Sequence, residues 1–297
     1  MNQAVATSAP QTAAKSKPFL LGFDPLRPMR SRERSERLDG YLRFLRERDG
    51  EPNVGARTLS RREAWFAKLD EDPVRYKGAV DGDAFRRHLR YRPGSGIDPK
   101  LCWILATAKC NRVEHYGVTL DFGLHGEDVG TRYGEHMAFI DLEEFYHTRI
   151  LRACVKVFDL DFELAPPKTF TRFFAELVVR SPHWLRLVSA LCGELFGCVA
   201  FQLLWEKIEL FDDDPKAADR LRTLIREILI DEMGHTAYGH AMLGRTGIAT
   251  VRAAVPHVSS YFLADLPEFS YLAGGRDAFL KRVAAFDLGS NAKLWGK

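Results

Sequence analysis

Residues 187 to 205 (LVSALCGELFGCVAFQLLW) form an apolar run of nineteen residues with one charged side chain, Glu194, near its middle. A run of that length can span a bilayer or fill the centre of a protein. A carboxylate at the bilayer midplane costs roughly 3 kcal/mol or more, and no clear basic flank marks one side of the run. The expectation is therefore a core helix carrying a functional carboxylate, with no membrane span. The five cysteines form no CxxC pair, which suits reduced core thiols in a cytoplasmic protein. The first residues, MNQAVATSAPQTAAKSK, contain no apolar stretch of the kind a secretory signal needs.

Three dipeptides place further helices. Asp98-Pro99, Ser181-Pro182 and Asp214-Pro215 each set an N-capping residue before a proline suited to the first helical position. Each opens a long run of apolar residues at helical spacing, and a fourth run begins after the loop at LHGED. These signals predict helices over 99–124, 129–158, 182–211 and 215–243. Residues 159–181, with Pro166-Pro167 and the helical-looking TFTRFFAELVV, are long for a turn and suit a crossover along a bundle. The predicted fold is all-α: a four-helix bundle over 98–245 with a long crossover. A disordered tail (1–17), an N-terminal helical extension (18–97) and a C-terminal helical extension packed on the bundle (246–297) complete it. Residues 30–92 are dense in arginine and mixed charge, which reads as solvated helices outside the core. The net charge of +3, from 43 basic and 40 acidic side chains, with no basic run interleaved with aromatics, gives no sign of a nucleic-acid partner.

Two Glu-x-x-His motifs lie inside these helices, Glu144-Phe-Tyr-His147 and Glu232-Met-Gly-His235. Residues three apart share a helix face, so each motif points a carboxylate and an imidazole the same way. One such motif arises readily by chance; two inside long helices carry more weight. The turns add a second constraint. In an antiparallel helical hairpin, residues at one level are equidistant from the turn. Glu144 and Glu114 are equidistant from residue 129, and Glu232 and Glu194 are equidistant from residue 213. Turn positions set by Gly, Asp and Pro thus bring four glutamates and two histidines to one level. Burying such a set without compensation is prohibitive, and divalent metal supplies the compensation. Carboxylate and imidazole ligands suit Fe(II) or Mn(II), and six of them exceed a tetrahedral zinc site. An acid precedes each motif, giving Glu143-Glu144 and Asp231-Glu232. A ligand imidazole usually donates its other N–H to a carboxylate, so Asp231 is expected to orient His147, and Glu143 to orient His235, across the bundle.

At these residues the chain resembles the di-iron oxygenase and oxidase branch of the ferritin-like superfamily, over about 99–243. In that pattern one Glu from each of two helices joins Glu-x-x-His from the other two. The stretch Glu143-Glu144-Phe-Tyr-His147-Thr is loosely similar to the p-aminobenzoate N-oxygenase group. Ile228 stands where that group has an extra ligating histidine, and Gly197 and Cys198 stand where several monooxygenases and desaturases carry a threonine. The resemblance implies two irons, Fe(II)/Fe(III), or a Mn/Fe pair, held by Glu114, Glu144, His147, Glu194, Glu232 and His235. Glu144 and Glu232 would bridge, and Glu114 and Glu194 would be terminal. It implies dioxygen as co-substrate and an O2-dependent oxidoreductase that hydroxylates, N-oxygenates or desaturates a small organic molecule. The substrate would lie in an apolar pocket beside the third helix, where Gly193, Gly197, Cys198 and Ala200 are small. A reductase or ferredoxin would donate electrons, and a homodimer is compatible with the pattern. The alternative is a ferroxidase or iron-handling ferritin-like protein; a helical scaffold with surface Glu and His is the third reading. Tyr116, Tyr146 and Tyr238 read as packing residues, as do the five cysteines; His115, His136, His183 and His240 fall off the ligand spacing.

Overall fold

The computed structural model describes residues 24–90, 96–125, 134–163 and 166–286; the tail expected over 1–17 lies outside them. The described chain is all-α apart from a two-residue hairpin. Helix α1 (Ser31–Asp49) leads through β1 (Pro52–Asn53) and β2 (Thr58–Leu59), antiparallel with Pro52 opposite Leu59, into α2 (Ser60–Glu71) and α3 (Gly82–Arg90). Four long helices follow in two hairpins: α4 (Pro99–His125) with α5 (Glu135–Lys156), and α7 (His183–Glu206) with α8 (Pro215–Met242). A short helix, α6 (Thr169–Val179), lies in the crossover between them. Then come α9 (Arg245–Asp265), α10 (Pro267–Leu272) and α11 (Arg276–Ala284).

The capping signals act at two of the three expected places. The Asp98 carboxylate accepts from the Leu101 amide at 3.1 Å, and Asp214 accepts from the Ala217 amide at 3.3 Å. Ser181 does not cap α7. Its hydroxyl donates to the Val178 carbonyl at 2.6 Å, closing α6, and Pro182 stands at the N-cap. The second long helix begins at Glu135 among the described residues, and 129–133 of its expected span fall outside them. The third tightens after Glu206 into a 3-10 segment, Lys207–Phe211.

In the core, α7 runs along α8, α4 along α5, and α5 packs on α8. The Trp103 indole donates to the Leu204 carbonyl at 2.8 Å and joins α4 to α7. Helix α1 lies on α8 and α2 on α1, while α9 covers α7 and α10 covers α4. Helix α8 is therefore enclosed, and every residue from Ile228 to Ala241 is buried. A helix buried all round is normally apolar all round, yet this one carries Asp231, Glu232, His235, Thr236 and His240. The segment His183–Phe211 is long and apolar enough to cross a membrane, but most of its strongest window is buried inside the protein.

Candidate metal centre

Helices α4, α5, α7 and α8 each deliver part of one polar cluster into this core. Glu114, Glu144, His147 and Glu232 bring one ligand atom apiece within 4.8 Å of one another. Glu144, Glu194, Glu232 and His235 do the same. The two groups share Glu144 and Glu232, so the six residues form one continuous cluster with two common carboxylates. His147 Nδ1 lies 3.4 Å from Glu144 and 3.4 Å from Glu232. His235 Nδ1 lies 3.0 Å from Glu144 and 3.6 Å from Glu194. The two imidazole rings are 5.6 Å apart.

The outer nitrogens are held from behind. His147 Nε2 is 3.1 Å from Asp231 Oδ2, and His235 Nε2 is 3.0 Å from Glu143 Oε2. Each contact crosses between α5 and α8. With Nε2 occupied, each ring turns Nδ1 into the cluster, and neither Nδ1 finds a hydrogen-bond partner there although both are buried. Two buried ring nitrogens aimed at converging carboxylates must either carry protons or take a cation in their place. The residues present can hold a metal ion, and oxygen donors with imidazole suit a divalent metal of the iron or manganese kind.

Proton affinities follow from the crowding. Burial, and then the neighbouring carboxylate of Glu144, push Glu114 well above the usual carboxylate range. Burial and the charges of Glu194 and Glu114 do the same to Glu232. Burial also opposes the charge on Glu144, but His147 and His235 outweigh it and hold this group low. His147 is pushed up to about 10: burial disfavours its charge, and Glu144 and Asp231 overcome that. His235 rises against burial through Tyr41, Glu143 and Glu144. The cluster therefore retains protons that a metal would displace.

Behind Asp231 and Glu143 lies an ion network that the arginine-rich pattern of the N-terminal part did not suggest. That segment reads as solvated helices, yet Arg62 is 4% exposed and Arg48 15%. Arg62 donates to Asp49 at 2.6 Å, to Asp231 at 2.6 Å and to Glu227 at 3.0 Å. Arg48 pairs with Asp231 and with Glu227, the latter at 2.8 Å, and lies 3.6 Å from Glu143. These cations hold Asp231 well below the usual range against the burial that opposes its charge. Glu143 has no such close pairing; burial and Asp231 raise it to about 8. Tyr41 on α1 lies over the site, so close that a Cβ at Gly234 would meet its ring at 2.7 Å. The glycine inside the second motif was the one sequence signal of that contact.

Gly197 has a comparable role on α7, where a Cβ would sit 2.6 Å from Glu232 Oε2. A cavity of about 400 Å³ opens beside α7. Glu114, Glu144, Glu194, Glu232 and His235 form part of its wall, and apolar side chains of α4, α5, α6, α7 and α9 form most of the rest. Of the small residues expected there, Gly193 and Gly197 line it; Cys198 and Ala200 do not. Cys198 instead meets the Thr236 hydroxyl at 3.4 Å, so the chain's threonine near this point comes from α8.

No protein-family model, curated protein or solved structure matches this chain. Function must be read from the site itself.

The remaining candidates are engaged elsewhere. His240 Nε2 lies 2.6 Å from the Arg27 carbonyl and His136 Nε2 2.8 Å from that of Leu38. Tyr146 donates to Glu63 at 2.6 Å, and Tyr116 reaches Glu176 at 3.4 Å. Tyr238 stacks on His136 and reaches the cavity wall.

Proposed function

We propose that this protein is a ferritin-like, non-haem di-iron oxygenase or oxidase that activates dioxygen to oxidise a small organic molecule. The observation carrying the reading is the pair of four-residue groups that share Glu144 and Glu232 while each holds one histidine of its own. A single-metal site has no use for two shared carboxylates, whereas a pair of metals would be held by both. In this reading Glu114 and His147 complete one metal position, and Glu194 and His235 the other. Two irons bound there would supply the electrons and the Lewis acidity that dioxygen needs in order to react at neutral pH.

The protein's own residues perform the remaining tasks. Asp231 and Glu143 fix which imidazole nitrogen points into the cluster, where it would meet a metal. Glu144 and Glu194 are the more exposed members of the second group, at 17% and 19%, and border the cavity. They are placed to change position as charge at the site changes. The apolar wall excludes water and accepts an apolar substrate. A hydroxylation consumes O2, two electrons and two protons and yields hydroxylated product and water. The electrons must come from a reductase or ferredoxin, and protons can return through the cavity carboxylates.

The test is anaerobic loading with Fe(II), followed by air, on the wild type and on a Glu144→Ala, Glu232→Ala variant. About two irons per chain, with a transient visible absorption that the variant lacks, is the expected result. Absence of stoichiometric metal would refute the di-iron reading. Iron oxidised and accumulated far beyond two per chain would favour the ferroxidase alternative.

A further inference from the structure

Helix α6 has two faces with different fates. Phe174, Ala175 and Val178 line the cavity. On the other side Phe173 is 64% exposed and Leu177 57%, one turn apart and so side by side. Where the chain turns into α7, Trp184 and Leu185 are a little under half exposed, and Tyr261 of α9, itself exposed, stacks on Phe174 with ring centres 6.4 Å apart. Among the described residues seven large apolar side chains are strongly exposed, and five of them are these. Such clustering marks an interaction surface.

Charge distinguishes what it meets. Arg172 on α6 and Arg180 at its C-cap are exposed and make no ion pair among the described residues. Between residues 166 and 186 the only acid is Glu176, and it faces Tyr116. Lys168 is neutralised by Asp265 at 3.0 Å. The corner thus offers Phe, Leu and Trp beside two arginines that make no ion pair among the described residues, and residues 166–186 carry no exposed acid, the composition of an element that lies in a lipid headgroup layer. The apolar cavity directly behind α6 suits molecules that dissolve in a bilayer better than in water.

We propose that the α6–α7 corner docks on an anionic lipid bilayer surface, placing the cavity beside the membrane. That the cavity takes its substrate from the bilayer rests on the proposed oxygenase function; the docking does not.

Sedimentation of the full-length, metal-free protein with vesicles tests it, using phosphatidylcholine alone and a phosphatidylcholine–phosphatidylglycerol mixture. The mixture should bind the protein in a salt-sensitive way, and phosphatidylcholine alone only weakly. Arg172→Gln with Arg180→Gln should weaken binding about fivefold per arginine. Phe173→Ser with Leu177→Ser should weaken it about a hundredfold or more, on the order of what burying two such side chains contributes. Iron uptake and helix content should stay as in the wild type, so failure of docking and failure of the metal site register separately. Lack of pelleting with the mixture at low salt would overturn the proposal, as would variants that pellet like the wild type. A wild type that ignores vesicles but forms a dimer dissolved by the Phe173 and Leu177 substitutions would assign the face to a second copy instead.

Discussion

Replacing Arg62 by leucine should damage the candidate metal centre from two helices away. Arg62 donates to Asp49, Asp231 and Glu227 from a position 4% exposed. Three charge-assisted hydrogen bonds at about 1.5–3 kcal/mol each would overstate the loss, because Arg48 still reaches Asp231 and Glu227. Asp49 keeps only a longer-range attraction to Arg48. It is fully buried, its Oδ1 is held by Arg62, and its Oδ2 has no hydrogen-bond partner. Stranding one buried charge typically costs about 3–5 kcal/mol, a large share of the roughly 5–15 kcal/mol that folds a domain. Urea titration of the metal-free protein, followed by far-ultraviolet circular dichroism, should show that loss. Adding Asp49→Leu should recover about 2 kcal/mol of it, since the stranded partner is then gone. Asp231 would be held less firmly behind His147, so metal affinity should fall by about 10–100-fold. A loss below about 1 kcal/mol, the value of a solvated surface pair, together with unchanged metal affinity, would refute the view that the N-terminal helices complete the site.

Gly197→Ala should leave the fold intact, because alanine is favoured over glycine in a helix by about 1 kcal/mol. Its methyl would displace the Glu232 carboxylate from 2.6 Å away, so metal content by elemental analysis should drop sharply while thermal stability holds; unchanged metal content would count against Glu232 as a shared ligand. The metal-free protein should be most stable on the acid side of neutrality. Glu114 and Glu232 keep protons in the folded state above the ordinary value of 4.5, and His147 keeps one up to about 10. The folded state then binds more protons than the unfolded chain, and stability falls as pH rises across that interval. Saturating Fe(II) or Mn(II) should reverse the slope, since metal replaces those protons. Thermal melts across pH with and without metal check the sign; a flat metal-free profile would oppose it.

The local elements were legible because their causes are local. Asp98 and Asp214 cap their helices through side-chain contacts three residues away, so a short stretch of sequence contains both donor and acceptor. The level of the four glutamates could be read from turn positions, since an antiparallel hairpin ties sequence distance to height. The facing of Asp231 to His147 and of Glu143 to His235 follows from the same symmetry. Ser181 misled for a local reason too: its hydroxyl had a competing carbonyl one turn back, at Val178.

Sequence alone therefore determined the helices, their hairpin levels and the residue types that meet. It could not determine which charged helices are solvated. The arginines of α1 and α2 have the spacing and composition of an exposed surface, and only the docking of α1 on α8 makes Arg48 and Arg62 buried partners of Asp231. Likewise α6 reads as one apolar helix, and only the packing of the crossover decides that Phe174 faces a cavity and Phe173 faces outward. Periodicity records which residues share a helix face; what lies against that face is a long-range property, set when separate helices compete to cover the same apolar and charged surface.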